Sequence, residues 1–417
     1  MWKSFKERVV YTVATTLLFV LGLGFRYLAH WSPNPSDPTA AGFSLLSGNE
    51  ALKSTSPAIV ERNDEGATWE VAYVTQRSFS ESEGDYTGKE NELHFGMTEV
   101  FLPRWRTRGS LSFPTDEDPD PVGKIIRSGD RGLHPDDFYE HILRRVEAAK
   151  EKDVLIFVHG YNVDFHEAIC RIAQMAEDMP FEGVIVAFDW NSQANTLGYY
   201  QDKINTGRTH PAFAEVLAEL RDRLPEDARL HVLAHSMGNR YTLNALELLA
   251  VYEPYIGLPP SRFKEDSFFK PQFAGWERWH PRGTQPKPLA NVIFAAPDVH
   301  PETFQKSVGS VMQIADHITL YCNEADFALE ISRFVNGQGK DGFRIGDSRS
   351  GINGGYAMDV VRLQSVSSSD PFGHSYYGSH PGLLTDLRLL IHAKAPIQVR
   401  PTVTAGNWPD QDKWYLR

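Results

Sequence analysis

From residue 154 onward, short apolar runs and helical stretches take turns, and this alternation limits the fold more than any other feature of the chain. Apolar runs of strand length occupy 154–158, 184–189, 229–234, 291–296, 317–321 and 357–363. Stretches with helical periodicity, at about 165–178, 211–224, 236–250, 301–314, 325–335 and 381–392, separate or follow them. Such alternation implies a mostly parallel sheet covered by helices on both faces, an α/β protein. Upstream, Trp69 to Arg77 and Glu99 to Pro103 read as strands, and His134 to Ala149 as a helix. Residues 78–95 read as a surface loop and Asp116 to Asp120 as a solvated acidic loop.

One of these junctions carries chemistry. Ala234-His235-Ser236-Met237-Gly238 sits between the apolar run ending at Ala234 and the helical run from Asn239 to Ala250. Strand, sharp turn and helix with a serine on the turn is the layout of a nucleophile elbow, which lifts the hydroxyl above the sheet edge. Alanine replaces the usual first glycine. A second motif, His159-Gly160-Tyr161-Asn162, ends the run Val154 to Val158, where an α/β-hydrolase carries its oxyanion-hole loop. The two backbone donors expected there are Met237, just after the serine, and Tyr161. The fold expected is therefore the α/β-hydrolase fold, with Ser236 as nucleophile.

A serine hydroxyl needs a histidine base, and the histidine needs a carboxylate to fix its tautomer. In this fold they follow the serine in the order acid, then histidine. Two acids end strands, Asp298 and Asp326. Counting 154–158 as the third strand, they follow strands six and seven. The acid most often follows strand seven, so Asp326 is preferred and Asp298 is the alternative acid. Each also precedes a helix that it could cap. His374, in Gly373-His374-Ser375-Tyr376-Tyr377 after the last strand, is preferred as base. His380, just before Pro381 and the final helix, is the alternative base. His235 reads as packing beneath the turn.

The chain has 417 residues and a net charge of −12, with no long basic run, which argues against a nucleic-acid binder. Its two cysteines, Cys170 and Cys322, lie in apolar periodic segments and read as buried thiols. No metal is expected: there is no H-E-x-x-H, and His159 and His166 stand seven apart. No phosphate-binding glycine loop occurs, and no cofactor is implied. Gly346-Asp347-Ser348 follows no apolar run and reads as a turn.

At the N-terminus, Lys3, Lys6 and Arg8 precede the uncharged apolar stretch Val9 to Phe25, and Arg26 ends it. That length is at the lower limit for a membrane span. Residues 1–31 are expected to form an uncleaved transmembrane anchor rather than a cleaved signal. The basic flank would stay inside, and the catalytic domain would be periplasmic or otherwise extracytoplasmic. Residues 32–63, rich in Pro, Ser, Asn and Ala, read as a linker, and 64–417 as the hydrolase domain. Within it, 251–288 break the rhythm with Tyr252, Tyr255, Phe263, Phe268, Phe269, Phe273, Trp276 and Trp279. This insertion is expected to be an aromatic cap over the site; the other reading is packing against the sheet edge.

Together these residues resemble a bacterial α/β-hydrolase family of uncharacterised function, described as esterase- or lipase-like. The likeness covers roughly 69–390. It rests on Val74-Thr75-Gln76-Arg77, Phe157-Val158-His159-Gly160-Tyr161-Asn162, Phe188-Asp189-Trp190-Asn191-Ser192 and Tyr200 with Asp202. Further along it takes in the elbow at Ser236, Ala296-Pro297-Asp298 and Gly373-His374-Ser375-Tyr376. Departures are Asn191 where that family has proline, the alanine before the elbow, and the aromatic insertion. The resemblance implies a serine hydrolase. The expected activity is cleavage of a small-molecule or lipid carboxylic ester through an acyl-enzyme. A peptidase or amidase on the same triad, or an inactive hydrolase-fold scaffold, are the competing expectations.

Overall fold

The computed structural model describes residues 55–82, 84–87, 92–111, 124–194, 198–252, 288–336, 342–355, 358–364, 373–407 and 413–416; for 124–131, 251 and 252 it describes the backbone alone. The expected anchor, most of the expected linker and nearly all of the expected cap lie outside these residues. Among the described residues no helix is long and apolar enough to cross a membrane.

The strands are β1 (Ile59–Arg62), β2 (Gly66–Thr75), β3 (Phe79–Ser80), β4 (Asp85–Tyr86), β5 (His94–Pro103), β6 (Lys124–Arg131) and β7 (Asp153–Val158). They continue as β8 (Val184–Asp189), β9 (Arg229–His235), β10 (Asn291–Ala295), β11 (Ile318–Asn323), β12 (Met358–Leu363), β13 (Val403–Ala405) and β14 (Trp414–Leu416). The helices are α1 (Pro135–Ala148), α2 (Phe165–Asp178), α3 (Tyr199–Thr209), α4 (Pro211–Arg223), α5 (Met237–Tyr252), α6 (Pro301–Ile314), α7 (Phe327–Val335), α8 (Tyr376–Ser379) and α9 (Pro381–Ile391).

Twelve strands form one sheet in the order β13-β14-β12-β11-β10-β9-β7-β8-β2-β5-β6, with β1 paired to β2. Pairings from β2 through β8, β7, β9, β10, β11 and β12 to β14 are parallel. Antiparallel pairs occur at the two ends, β2 with β5, β5 with β6, and β13 with β14. β3 and β4 make a separate small hairpin within the stretch expected to be a loop.

The central strands read as unbroken apolar runs because both faces are covered. In β7, Val154, Ile156 and Val158 face a core shared with α1, α4, α5 and α6. Leu155 and Phe157 face a second core shared with α2, α8 and α9. Side chains alternate along every strand, so a fully buried strand shows no polar beat.

The tail of the expected linker is part of the domain. β1 lies within it, Ser56 and Ala58 are buried, and Ser56 Oγ donates to the Gly183 carbonyl at 2.6 Å. Four polar or β-branched residues, Ile-Val-Glu-Arg, gave no apolar run to read, yet their backbone completes the edge of β2.

The chain moves from β7 to β8 on one side and returns to β9 on the other side of β7. Strand order therefore reverses there, and in parallel sheets ligands bind beyond the carboxyl ends of strands at such a reversal. His159 follows β7 and Ser236 follows β9 at that crevice. Tyr252, the last described residue at the start of the expected cap, and Leu289, just past its end, stand at the opposite edge. α5 runs away from Ser236 along the sheet, and Leu289 and Ala290 pair at the amino ends of the strands, with Ala290 N donating to the Leu230 carbonyl at 2.8 Å.

Candidate active site

Ser236 has φ +53°, in the left-handed region that side chains with a Cβ rarely occupy. Such a conformation costs about 1–3 kcal/mol and persists only where the surroundings enforce it. Here they do. Ser236 N donates to the Ala295 carbonyl at 3.1 Å. Its own carbonyl accepts from Asn239 N at 3.1 Å, Asp298 N at 3.2 Å and Asn239 Nδ2 at 3.0 Å. Asn239 Nδ2 also reaches the Ala295 carbonyl at 2.9 Å. The turn is thus pinned to the end of β10 by backbone and side chain together.

The two small residues flanking the serine are not equivalent. A Cβ on Gly238 would lie 2.2 Å from the His159 carbonyl oxygen, a rigid backbone atom. Ala234, in the middle of the parallel pairing with Val158 and Phe294, is buried with its methyl accommodated. The glycine demanded by the elbow is the second one, which explains why the first can be alanine.

His374 and Asp326 meet. His374 Nδ1 lies 2.8 Å from Asp326 Oδ2 and 3.0 Å from Oδ1, and both side chains are buried. The same Asp326 Oδ1 accepts from Leu329 N at 3.0 Å and so caps α7. Capping and pairing with histidine are compatible, because one carboxylate has enough lone pairs for both. The cap orients the carboxylate. Gly373, at φ +62°, makes the turn before the histidine, and its carbonyl accepts from Asn323 Nδ2 at 3.3 Å. His235 Nε2 sits 3.1 Å from the His374 carbonyl, and the two rings are 4.7 Å apart. The His235 ring also stacks on Tyr377 at 4.0 Å. Burial holds His235 well below the usual imidazole range, with the neighbouring His374 acting the same way. A neutral His235 therefore donates to that carbonyl and supports the His374 loop.

The two alternatives go elsewhere. Asp298 pairs with Arg344 (Nε to Oδ1, 3.1 Å) and accepts from Tyr199 at 2.7 Å and Ser332 at 2.5 Å. It does not cap α6; His300 does, through Nδ1 accepting from Glu302 N at 3.3 Å. His380 caps α9, with Nδ1 accepting from Leu383 N at 3.3 Å.

The His159–Asn162 loop closes on the elbow. A Cβ on Gly160 would stand 2.9 Å from both Ser236 Cβ and His235 Nδ1, so only glycine lets the loop come this near. Met237 opens α5, where the first N–H groups have no partner within the helix. Tyr161 packs edge-on against Tyr199 at 5.4 Å, and Asn162 adopts φ +57°.

Behind the loop lies a buried polar network whose functions went unread in the sequence. Asp189, ending β8, meets Arg77 Nε at 2.9 Å, His159 Nε2 at 2.9 Å and Thr75 Oγ1 at 2.5 Å. Burial alone would raise the Asp189 pKa, but Arg77, His159 and Thr75 outweigh it and lower it. Arg77 also donates to the carbonyls of Ser192, Val163 and Trp190 at 2.8, 2.9 and 3.3 Å. The His159 ring stacks on Trp190, whose Nε1 donates to the His159 carbonyl at 2.7 Å. Asp202 accepts from Ser192 Oγ at 2.7 Å and Gln193 N at 2.8 Å, and Ser192 Oγ accepts from Asn162 N at 3.1 Å. Burial pushes the Asp202 carboxyl up to about 6 despite these donors. The available signal was a charged residue closing each of two apolar runs, Arg77 after β2 and Asp189 after β8, with opposite signs.

Cys170 and Cys322 are buried free thiols, and burial raises both pKa values, that of Cys322 to about 12. Ser348, in the expected Gly346-Asp347-Ser348 turn, starts a short 3₁₀ turn whose cap is Asp347. No group of three or more metal-ligating side chains comes together among the described residues.

A parallel sheet with helices on both faces, and a strained serine turn at its reversal point, define an α/β-hydrolase. The chain belongs to the family described as "Alpha/beta hydrolase of unknown function (DUF900)", whose model matches residues 134–393. It is also similar to "Uncharacterized protein alr1448" of Nostoc sp. (strain PCC 7120 / SAG 25.82 / UTEX 2576), 28% identical over 167 residues. That likeness covers 34% of this chain and spans 41% of the relative's length.

Proposed function

We propose that this hydrolase cleaves carboxylic esters with Ser236 as nucleophile, His374 as general base and Asp326 as the acid that orients it. The observation that carries the reading is the two-oxygen contact of Asp326 with His374 Nδ1, beside a serine held at φ +53°. Asp326 keeps the proton on Nδ1, so that Nε2 is the nitrogen that takes the Ser236 proton as Oγ attacks the ester carbonyl. The backbone N–H groups of Met237 and Tyr161 receive the oxyanion, and loss of one such donor typically costs about 100- to 1000-fold in turnover. Collapse of the tetrahedral intermediate breaks the C–O bond, and His374 returns the proton to the departing alcohol. Water, activated by His374, then frees the acid and restores Ser236. His235 takes no part as base.

A fluorophosphonate probe tests this directly. Label should appear on wild type and be absent from Ser236→Ala; equal labelling of both removes Ser236 from the reading. Hydrolysis of an anilide as fast as the matching ester would shift the class to amidase.

We further propose that residues 9–25 tether the enzyme to a membrane, with the domain on the extracytoplasmic side. The support is the uncharged apolar run behind Lys3, Lys6 and Arg8. The full chain should sediment with membranes and resist salt extraction, and deletion of residues 1–31 should release it. Extraction by salt alone would refute insertion.

A further inference from the structure

Asp298 sits at the centre of a second cluster, one hydrogen bond from the elbow, through its backbone N on the Ser236 carbonyl at 3.2 Å. Arg344 approaches its carboxylate at 3.1 Å. Arg240, one helical turn beyond Ser236 on α5, donates from Nη2 to the Asp298 carbonyl at 3.1 Å. Lys203, one turn into α3, bonds to the Asn336 side-chain oxygen, and Asn336 Nδ2 donates to Tyr199 at 3.0 Å. Tyr199 closes the ring by donating to Asp298 and packing against Tyr161 of the oxyanion loop.

Two guanidiniums and an ammonium thus gather around one carboxylate, in a chain whose net charge is −12. Burial lowers the Lys203 pKa, and Arg240 and Arg344 lower it further while Asp298 alone opposes them. Arg240 Nε is buried and makes no hydrogen bond among the described residues. Surplus like charge at such a part-buried site is unfavourable until an anion enters. Guanidinium donors suit a planar carboxylate or a phosphate.

Resting on the ester-hydrolase reading, we propose that the substrate carries an oxyanion, carboxylate or phosphate, and that Lys203, Arg240 and Arg344 bind it beside Ser236. Neutral esters would then be poor substrates. The site would select acidic ones through charge-assisted hydrogen bonds, each worth about 10- to 100-fold.

The test compares 4-nitrophenyl esters of equal acyl length, the glutarate monoester against the valerate. In wild type kcat/KM should favour the glutarate ester at least about tenfold, and added salt should erode that preference by screening. Arg240→Gln and Lys203→Gln should each cut the glutarate-to-valerate ratio about tenfold, read as a ratio whatever either rate does. Glutarate and inorganic phosphate, tried separately as competitive inhibitors of valerate hydrolysis, distinguish the two oxyanions. For a readout without turnover, whichever of the two binds should raise the Tm of Ser236→Ala and not that of Ser236→Ala with Arg240→Gln. A ratio at or below one in an enzyme that labels at Ser236 overturns the subsite and leaves the hydrolase reading standing. No Tm shift with either anion overturns it in a protein without esterase activity as well.

Discussion

The two edges of the parallel sheet each hold a buried histidine against a buried aspartate, and only one of the two pairs adjoins a strained serine turn. At the carboxyl-end edge, His374 meets Asp326 beside a serine at positive φ and a glycine loop that touches it. At the amino-end edge, His231 Nε2 lies 3.2 Å from Asp153 Oδ1, and Asn291 Nδ2 lies 2.8 Å from His231 Nδ1. Asp153 also takes Arg229 at 2.7 Å, and His392 Nδ1 is 3.2 Å away. There the pair belongs to strand residues, and its contacts tie β7 to β9 and β10 and, through Arg229, to the end of α9. A histidine–carboxylate contact is therefore no signature of catalysis alone. What separates the edges is backbone strain: Ser236 stands at φ +53°, whereas none of Asp153, Arg229, His231 and Asn291 is among the positive-φ positions of the described residues.

The largest expected effect breaks the comparison outright. Ser236→Ala should reduce ester turnover by up to about a million-fold, since triad members act as a unit, and leave the fold intact. His231→Gln should keep turnover per folded molecule within tenfold. Comparable losses in both would mean that the amino-end edge contributes to chemistry.

Next in size is the choice between carboxylates at the carboxyl-end edge. Asp326→Asn should cost about 10,000-fold in kcat by leaving His374 in the wrong tautomer. Asp298→Asn should cost far less. The opposite ranking, measured on one ester, would transfer the acid's role to Asp298.

At the amino-end edge the expected loss is in stability. Asp153→Ala removes a fully buried carboxylate from the part-buried Arg229 and the buried His231, which typically costs up to about 3–5 kcal/mol. Denaturant unfolding reads this, and a midpoint unchanged from wild type would show the cluster to be idle.

The smallest effect gives the two edges opposite responses to acid. Burial works against the Asp153 carboxylate, but His231, His392 and Arg229 outweigh it and hold its pKa well below the usual range. Its contribution is present above the ordinary carboxylate pKa of about 4 and is lost as pH falls further. Asp202 is raised from 3.8 to about 6. Its contribution is fully present below about 4 and is lost as pH rises through about 6, a change of about 3 kcal/mol. Asp202→Asn should therefore gain on wild type between pH 4 and 7.5 in urea unfolding. A constant gap across that range would mean that Asp202 titrates normally.

Much of the sheet was legible because strands buried on both faces leave short apolar runs between helical stretches. α3 was not legible: its buried face is Tyr199, Asp202, Thr206 and Thr209, polar residues held by hydrogen bonds, so no apolar stripe marks it. β13 and β14 have three residues each, too few for any period to show. At the site, the elbow could be read from Ser236 and Gly238, because local strain demands particular residue types. Asp298 and Asp326 could not be separated by position, since both close a strand before a helix. Their partners distinguish them, Arg344 for one and His374 for the other, and both come from segments distant in the chain. Arg77 and Asp189 were visible as residues, but their pairing is a matter of β2 lying beside β8.

The insertion between α5 and β10 is attached at the far side of the sheet from the serine. α5 has 16 residues and carries the chain about 24 Å from the elbow before the insertion begins. β10 then brings it straight back, to the backbone atoms that hold Ser236 in place. A change of length between Tyr252 and Leu289 is therefore expected to leave the register of β9 against β10 unaltered. Substrate range, if it is set there, would evolve on a separate clock from the chemistry.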